Sequence, residues 1–213
     1  MSMNLSAAER AYRDVKGRIL SGSLAGGELI SEGEVAAALG ISRTPVREAF
    51  LRLETQGWMR LYPKRGALIV PVPADEAEHV IGARHAVETA AVRALAHTDR
   101  SAIVESLRQS IARLESLAEA AEVDQFTIED AGFHRLFVQA ANNPLLSGFY
   151  DTLHDRQLRM TSTSVLRDKA QMERIIKHHN ELTDLIEAGD TDGFAASLAA
   201  HLAAVHDLRR PPA

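Results

Sequence analysis

The 213-residue chain contains no cysteine. That excludes a disulfide framework, a thiolate nucleophile and a cysteine-ligated zinc finger, and it fits a reducing compartment. No stretch approaches the roughly 18 apolar residues that a membrane span requires. Asn4, Glu9, Arg10 and Arg13 interrupt the N-terminal region early, so no secretory leader is expected. A soluble cytoplasmic protein is the expectation, with no membrane partner. The chain also lacks an excess of positive charge: its formal net charge is -5. Taken alone, that argues against nucleic acid.

The distribution of charge argues the other way. Residues 1–74 carry 10 basic and 7 acidic side chains, whereas residues 75–213 carry 14 and 22. Within 40–66 the balance is 6 basic to 2 acidic. A short basic module joined to a longer acidic one implies two tasks. Hydrophobic residues make up 46% of the chain, enough for two cores. The stiff segment Pro71-Val72-Pro73 marks the boundary, giving domains over 1–72 and 73–213.

In the first domain, Tyr12, Val15 and Ile19 share one helical face. Ser31 and Glu34 form a capping-box pattern ahead of Val35, Ala38 and Leu39. Gly40 permits a tight turn, and Ser42 offers a second N-cap. Val46, Ala49, Phe50 and Leu53 form the inward stripe of the following helix, which Gly57 ends. Pro45 falls near the third helical position, where its missing N–H removes a donor that had no intrahelical partner anyway. Arg43 and Arg47 are one turn apart, with Thr44 between them and off the apolar stripe. Two runs rich in strand formers, "WMRLY" and "ALIV", flank Pro63-Lys64-Arg65-Gly66 and predict a hairpin. Helix, glycine turn, a second helix with a cationic leading turn, and a basic hairpin together predict a winged helix-turn-helix. Its second helix enters the major groove, where arginine can bond guanine or hold phosphate.

The stretch "GGELISEGEVAAALGISRTPVREAFLRLETQGWM" resembles the winged helix-turn-helix of GntR-type transcription regulators, most specifically in "SRTPVREA". The resemblance covers residues 8–70. It implies operator contacts from Ser42, Arg43, Thr44 and Arg47, a phosphate contact from Arg52, and a wing formed by Lys64, Arg65 and Gly66. It also implies a homodimer. Ala25 stands where that family usually has proline.

Beyond the linker, periodicity predicts an all-helical bundle of about six helices, over 75–97, 100–120, 124–141, 144–164, 168–188 and 191–209. The fold class is therefore mainly α. Asp130 lies beside the stripe of Phe126, Phe133 and Phe137, and His134 lies one turn on, further round the flank. His201 falls on the stripe of Phe194, Leu198, Val205 and Leu208, whereas His206 does not. His178 and His179 sit equally near the stripe of Ile175, Leu182 and Ile186, and periodicity does not choose between them. An aspartate and three histidines converging in a bundle would form an N₃O metal site. Arg84 lies on an apolar face with Val80, Val87 and Ala91, and a buried guanidinium needs an anion. Glu88, one turn on, is one such anion.

The segments "EDAGFHRLFVQAANNPLL" and "HHNELTDLIEAGDTDGFAASLAAHL" resemble the FCD effector domain of the FadR-like GntR branch. The resemblance implies metal ligation by Asp130, His134, His179 and His201, and it selects His179 over His178. It also implies that Arg84 lines a ligand cavity, where a small carboxylate effector would bridge a divalent metal (Zn, Ni or Mn) and Arg84. Arg156, Gln157 and Arg159 are candidate polar helpers. The expected function is a ligand-responsive transcription regulator, a repressor, acting as a dimer on double-stranded operator DNA. The alternatives are a metal-dependent hydrolase carrying a DNA-binding module and a pure metal sensor that has no need of Arg84.

Overall fold

The computed structural model describes residues 5–73, 75–96, 98–168 and 170–205, and the chain falls into two compact units divided after Pro73. The first unit contains α1 (Ala7–Leu20), β1 (Leu29–Ile30), α2 (Glu32–Leu39), α3 (Arg43–Thr55), β2 (Met59–Tyr62) and β3 (Gly66–Ile69). Its antiparallel sheet runs in the order β1-β3-β2. Tyr12, Val15, Ile19, Val46, Phe50, Leu53, Trp58 and Ile69 form one buried core. Each large apolar side chain fully buried there contributes about 1.5–3 kcal/mol.

Local chemistry sets the helix boundaries. Ser31 and Glu34 make the reciprocal capping box at the start of α2, and Gly40 closes it in the left-handed conformation at φ 63°. α3 starts at Arg43, which places Pro45 third. Ser42 occupies the N-cap position, but its side chain makes no capping hydrogen bond, contrary to expectation. β1 was not anticipated. Two residues are too few to show a period, and the strand exists because Leu29 and Ile30 pair with Leu68 and Ala67.

The second unit contains seven helices among the described residues: α4 (Glu76–Ala94), α5 (Ser101–Glu119), α6 (Val123–Ala140), α7 (Pro144–Asp151), α8 (His154–Arg167), α9 (Ala170–Ala188) and α10 (Thr191–Val205). The segment expected as one helix over 144–164 is therefore two. Thr152 and Leu153 keep right-handed dihedrals, but their N–H groups bond three residues back, to Phe149 and Tyr150. That tightened turn redirects the chain without glycine or proline, so no breaker marks it in the sequence. Leu208, His206 and the expected helix end at 209 lie outside the described residues. α6 is the central helix, packed by α4, α5, α7 and α8, while α9 and α10 pack on each other and on α5 and α4 respectively.

Candidate nucleic-acid interface and candidate metal centre

In the first unit, Ser42, Arg43, Thr44 and Arg47 are all exposed on the leading turns of α3. Val46, Ala49, Phe50 and Leu53 bury the opposite face and so fix the direction of the arginines. The Arg43 guanidinium lies over Gly33 of α2, where a Cβ would meet its Nη2 at 3.4 Å. Lys64 and Arg65 are exposed at the tip of the β2–β3 hairpin, and Lys64 takes a left-handed φ of 63°. Gly66 has a different duty from its neighbours. Its φ is 106°, and a Cβ there would lie 2.4 Å from the Ile30 carbonyl oxygen. Glycine is needed so that β3 can approach β1. Arg52 is also occupied within the unit: its Nη1 donates to Glu9 Oε2 at 2.9 Å, and its guanidinium stacks 3.6 Å over the Tyr12 ring. It ties α3 to α1 while its side chain stays half exposed.

In the second unit, the candidate ligands are buried. Asp130 and His134 project from α6, His179 from α9 and His201 from α10, each at most 2% exposed. His134 was expected on the flank of its helix, but Glu88 of α4 and His201 of α10 cover that flank as well. The Nε2 atoms of His134 and His201 are 3.2 Å apart, as are those of His179 and His134. Asp130 Oδ1 lies 3.3 Å from His179 Nε2. Three imidazole nitrogens thus converge on one buried point, all within 4.8 Å of one another, and the Asp130 carboxylate meets them from the His179 side. The ambiguity between the tandem histidines resolves by burial: His179 is fully enclosed and His178 is half-buried.

The surroundings prepare this donor set. Glu88 Oε2 lies 2.9 Å from His134 Nδ1, which makes Nδ1 the donor and turns the Nε2 lone pair inward. Glu88 Oε1 accepts from Arg84 Nε at 2.8 Å and from the Tyr150 hydroxyl at 2.7 Å. Burial pushes the Glu88 carboxyl up, but Arg84 and the other donors outweigh that and hold it at about 2. Burial likewise opposes the Arg84 cation, yet Glu88 raises its pKa above the ordinary value. Burial raises the Asp130 carboxyl; Arg84 and the Thr161 hydroxyl, which donates to Oδ2 at 3.1 Å, offset this in part. Burial drives the His179 imidazole well below its usual range, which keeps it neutral with a lone pair to give. Its ring stacks on Phe133 with centroids 3.8 Å apart and planes 7° from parallel. Asp130 Oδ1 has no hydrogen-bond partner among the described residues. A buried carboxylate oxygen beside three imidazoles suits a divalent cation, which would satisfy the oxygen and the lone pairs together.

The effector helpers divide. Gln157 is buried on α8, and its Oε1 position lies 3.2 Å from the Tyr150 hydroxyl. Arg156 does not join this buried cluster: it is exposed, and its Nε donates to Glu76 at 2.7 Å. The break before α8 resets the helical phase, turning Gln157 and Thr161 inward and Arg156 toward solvent. Arg159 is half-buried. In the sequence, Glu88 is legible solely as a counter-ion for Arg84. Its grip on His134, 46 residues away, leaves no local signal.

The model of the bacterial regulatory proteins of the gntR family matches residues 7–69, and the FCD domain model matches residues 79–204. The chain belongs to the GntR family. Among its GntR relatives, a protein named probable D-xylose utilization operon transcriptional repressor, from Paenarthrobacter nicotinovorans, is 30% identical over 87% of this chain and 81% of its own length. The HTH-type transcriptional repressor RspR of Escherichia coli (strain K12) is 24% identical over 95% of this chain and 88% of its own. Among solved structures, E. coli McbR/YncC superposes with a TM-score of 0.76 at 21% identity, covering 97% of this chain and 100% of that one, a likeness of fold. This GntR protein is accordingly a DNA-binding transcription regulator and not a hydrolase. Among its described residues, no helix is long and apolar enough to cross a membrane.

Proposed function

We propose that this regulator is a cytoplasmic, homodimeric repressor whose helical unit binds a divalent metal and a small carboxylate effector. Two reading helices in a dimer address half-sites about 34–36 Å apart, or multiples of that, on a palindromic operator. Asp130, His134, His179 and His201 would hold the ion, with Zn, Ni or Mn as the candidates. The observation that carries this reading is the convergence of three buried Nε2 atoms beside an otherwise unsatisfied Asp130 oxygen. When bound, the ion supplies a localised positive charge for an anionic ligand. Arg84, oriented by Glu88, places a second fixed cation near Asp130, and buried charge-assisted bonds to a carboxylate are strong. Effector binding then shifts the population between arrangements of the helical unit to the extent that it binds them unequally.

A second reading, a sensor of the metal alone, is favoured by the Arg84–Glu88 pair, because that pair neutralises Arg84 without any organic ligand. One titration separates the two. Operator affinity is followed by fluorescence anisotropy as metal, then small carboxylic acids, are added to metal-free protein. A response that needs both components supports the effector reading, and a full response to metal alone supports the sensor. His179→Ala should abolish stoichiometric metal in elemental analysis. Full occupancy in that variant would overturn the ligand assignment.

A further inference from the structure

The tandem histidines leave one imidazole unexplained. His178 is not one of the converging donors, yet its Nδ1 lies 3.3 Å from His201 Nδ1, with the two rings at 88° and their centroids 5.4 Å apart. Two imidazole nitrogens at that distance share one proton: one donates and the other must accept. We propose that His178 is a positioning residue whose Nδ1 accepts the His201 Nδ1–H, turning the His201 Nε2 lone pair into the donor cluster. The role rests on the metal-centre reading above.

The other two imidazoles show the same requirement met by other means. Glu88 fixes His134 through its Nδ1. Phe133 fixes the plane of His179, whose Nδ1 has no hydrogen-bond partner among the described residues. His201 Nε2 faces His134 Nε2 at 3.2 Å, so its outward nitrogen is the one that His178 meets. A neutral imidazole is a ligand through one nitrogen, and the bond made by the other decides which. His178 and His179 are neighbours on α9, yet the first supports a ligand on α10 while the second is itself a ligand.

The test uses three variants of the full chain, loaded with cobalt(II) against a competing chelator. His178→Leu removes the acceptor at similar volume, His178→Asn keeps a carbonyl oxygen near the Nδ1 position, and His178→Ala guards against misfolding of the leucine variant. Losing an outer partner of this kind typically costs about 10–100-fold in metal affinity. His178→Leu and His178→Ala should show that loss with one ion per chain retained, and His178→Asn should recover most of it. In metal-free wild type, ¹⁵N shifts of His201 should report protonated Nδ1. Wild-type affinity in both the leucine and alanine variants, failure of asparagine to rescue, or a His201 protonated at Nε2 would each overturn the role while leaving the metal centre standing. A wild-type protein that takes up no cobalt would overturn both.

Discussion

The two units use charge in opposite ways. In the first, Arg43, Arg47, Lys64 and Arg65 stand in solvent on a small apolar core, available to a polyanion. In the second, Arg84, Glu88, Asp130 and three histidines are almost wholly enclosed, each fixed by a neighbour's hydrogen bond or ring. An exposed cation can be removed at little cost to folding, because water takes its place. A buried one is bound to its partner, because removing either strands the other in low dielectric. The reader can therefore vary its contacts freely, whereas the helical unit's buried polar residues form a unit that changes together.

The sharpest test of that contrast is Glu88→Ala. It leaves Arg84 buried without its anion and should destabilise the helical unit by about 3–5 kcal/mol. Urea unfolding followed by far-UV circular dichroism would measure this. The sole tryptophan, Trp58, lies in the first unit, so its fluorescence reports the reader separately. Equal stability of variant and wild type would break the comparison. Acid probes the same group. Glu88 is held at about 2 in the folded chain against an ordinary 4.5. Its contribution is fully present above about 4.5 and is lost as pH falls toward 2, so Glu88 should make the urea midpoint independent of pH near neutrality and lower it in acid.

On the reader side, Arg43→Ala and Arg47→Ala should each weaken specific operator binding by about 1–3 kcal/mol. Their unfolding midpoints should stay near wild type. A large stability loss in either would show that these arginines are structural after all. Gly66→Ala should behave in reverse. The strained φ and the Ile30 carbonyl should cost about 1–3 kcal/mol of stability in the first unit, read from Trp58 fluorescence, with DNA affinity falling as a consequence. The smallest effect separates two serines. Ser31→Ala removes a formed capping box and should cost about 0.5–2 kcal/mol. Ser42→Ala removes no capping bond and should cost less, and equal losses would mean that Ser42 caps α3 in solution.

The sequence by itself determined the reader almost completely. Its signals are local: the Ser31–Glu34 box, the turn at Gly40, Pro45 in a first helical turn, and a period that buries Val46 and Phe50 while exposing Arg43 and Arg47. Each depends on residues within about one helical turn, so each can be read in order along the chain. In the second unit, periodicity located the helices and placed Asp130 and His201 close to their inward faces. Tertiary structure decided the rest. It split the expected 144–164 helix at Thr152 and turned Arg156 out. It enclosed His179, left His178 at its edge, occupied Arg52 with Glu9 and Tyr12, and gave Glu88 a second partner in His134. The physical reason is the same in every case: the partner comes from another helix tens of residues away, and its distance and angle are set by packing, which no helical period encodes.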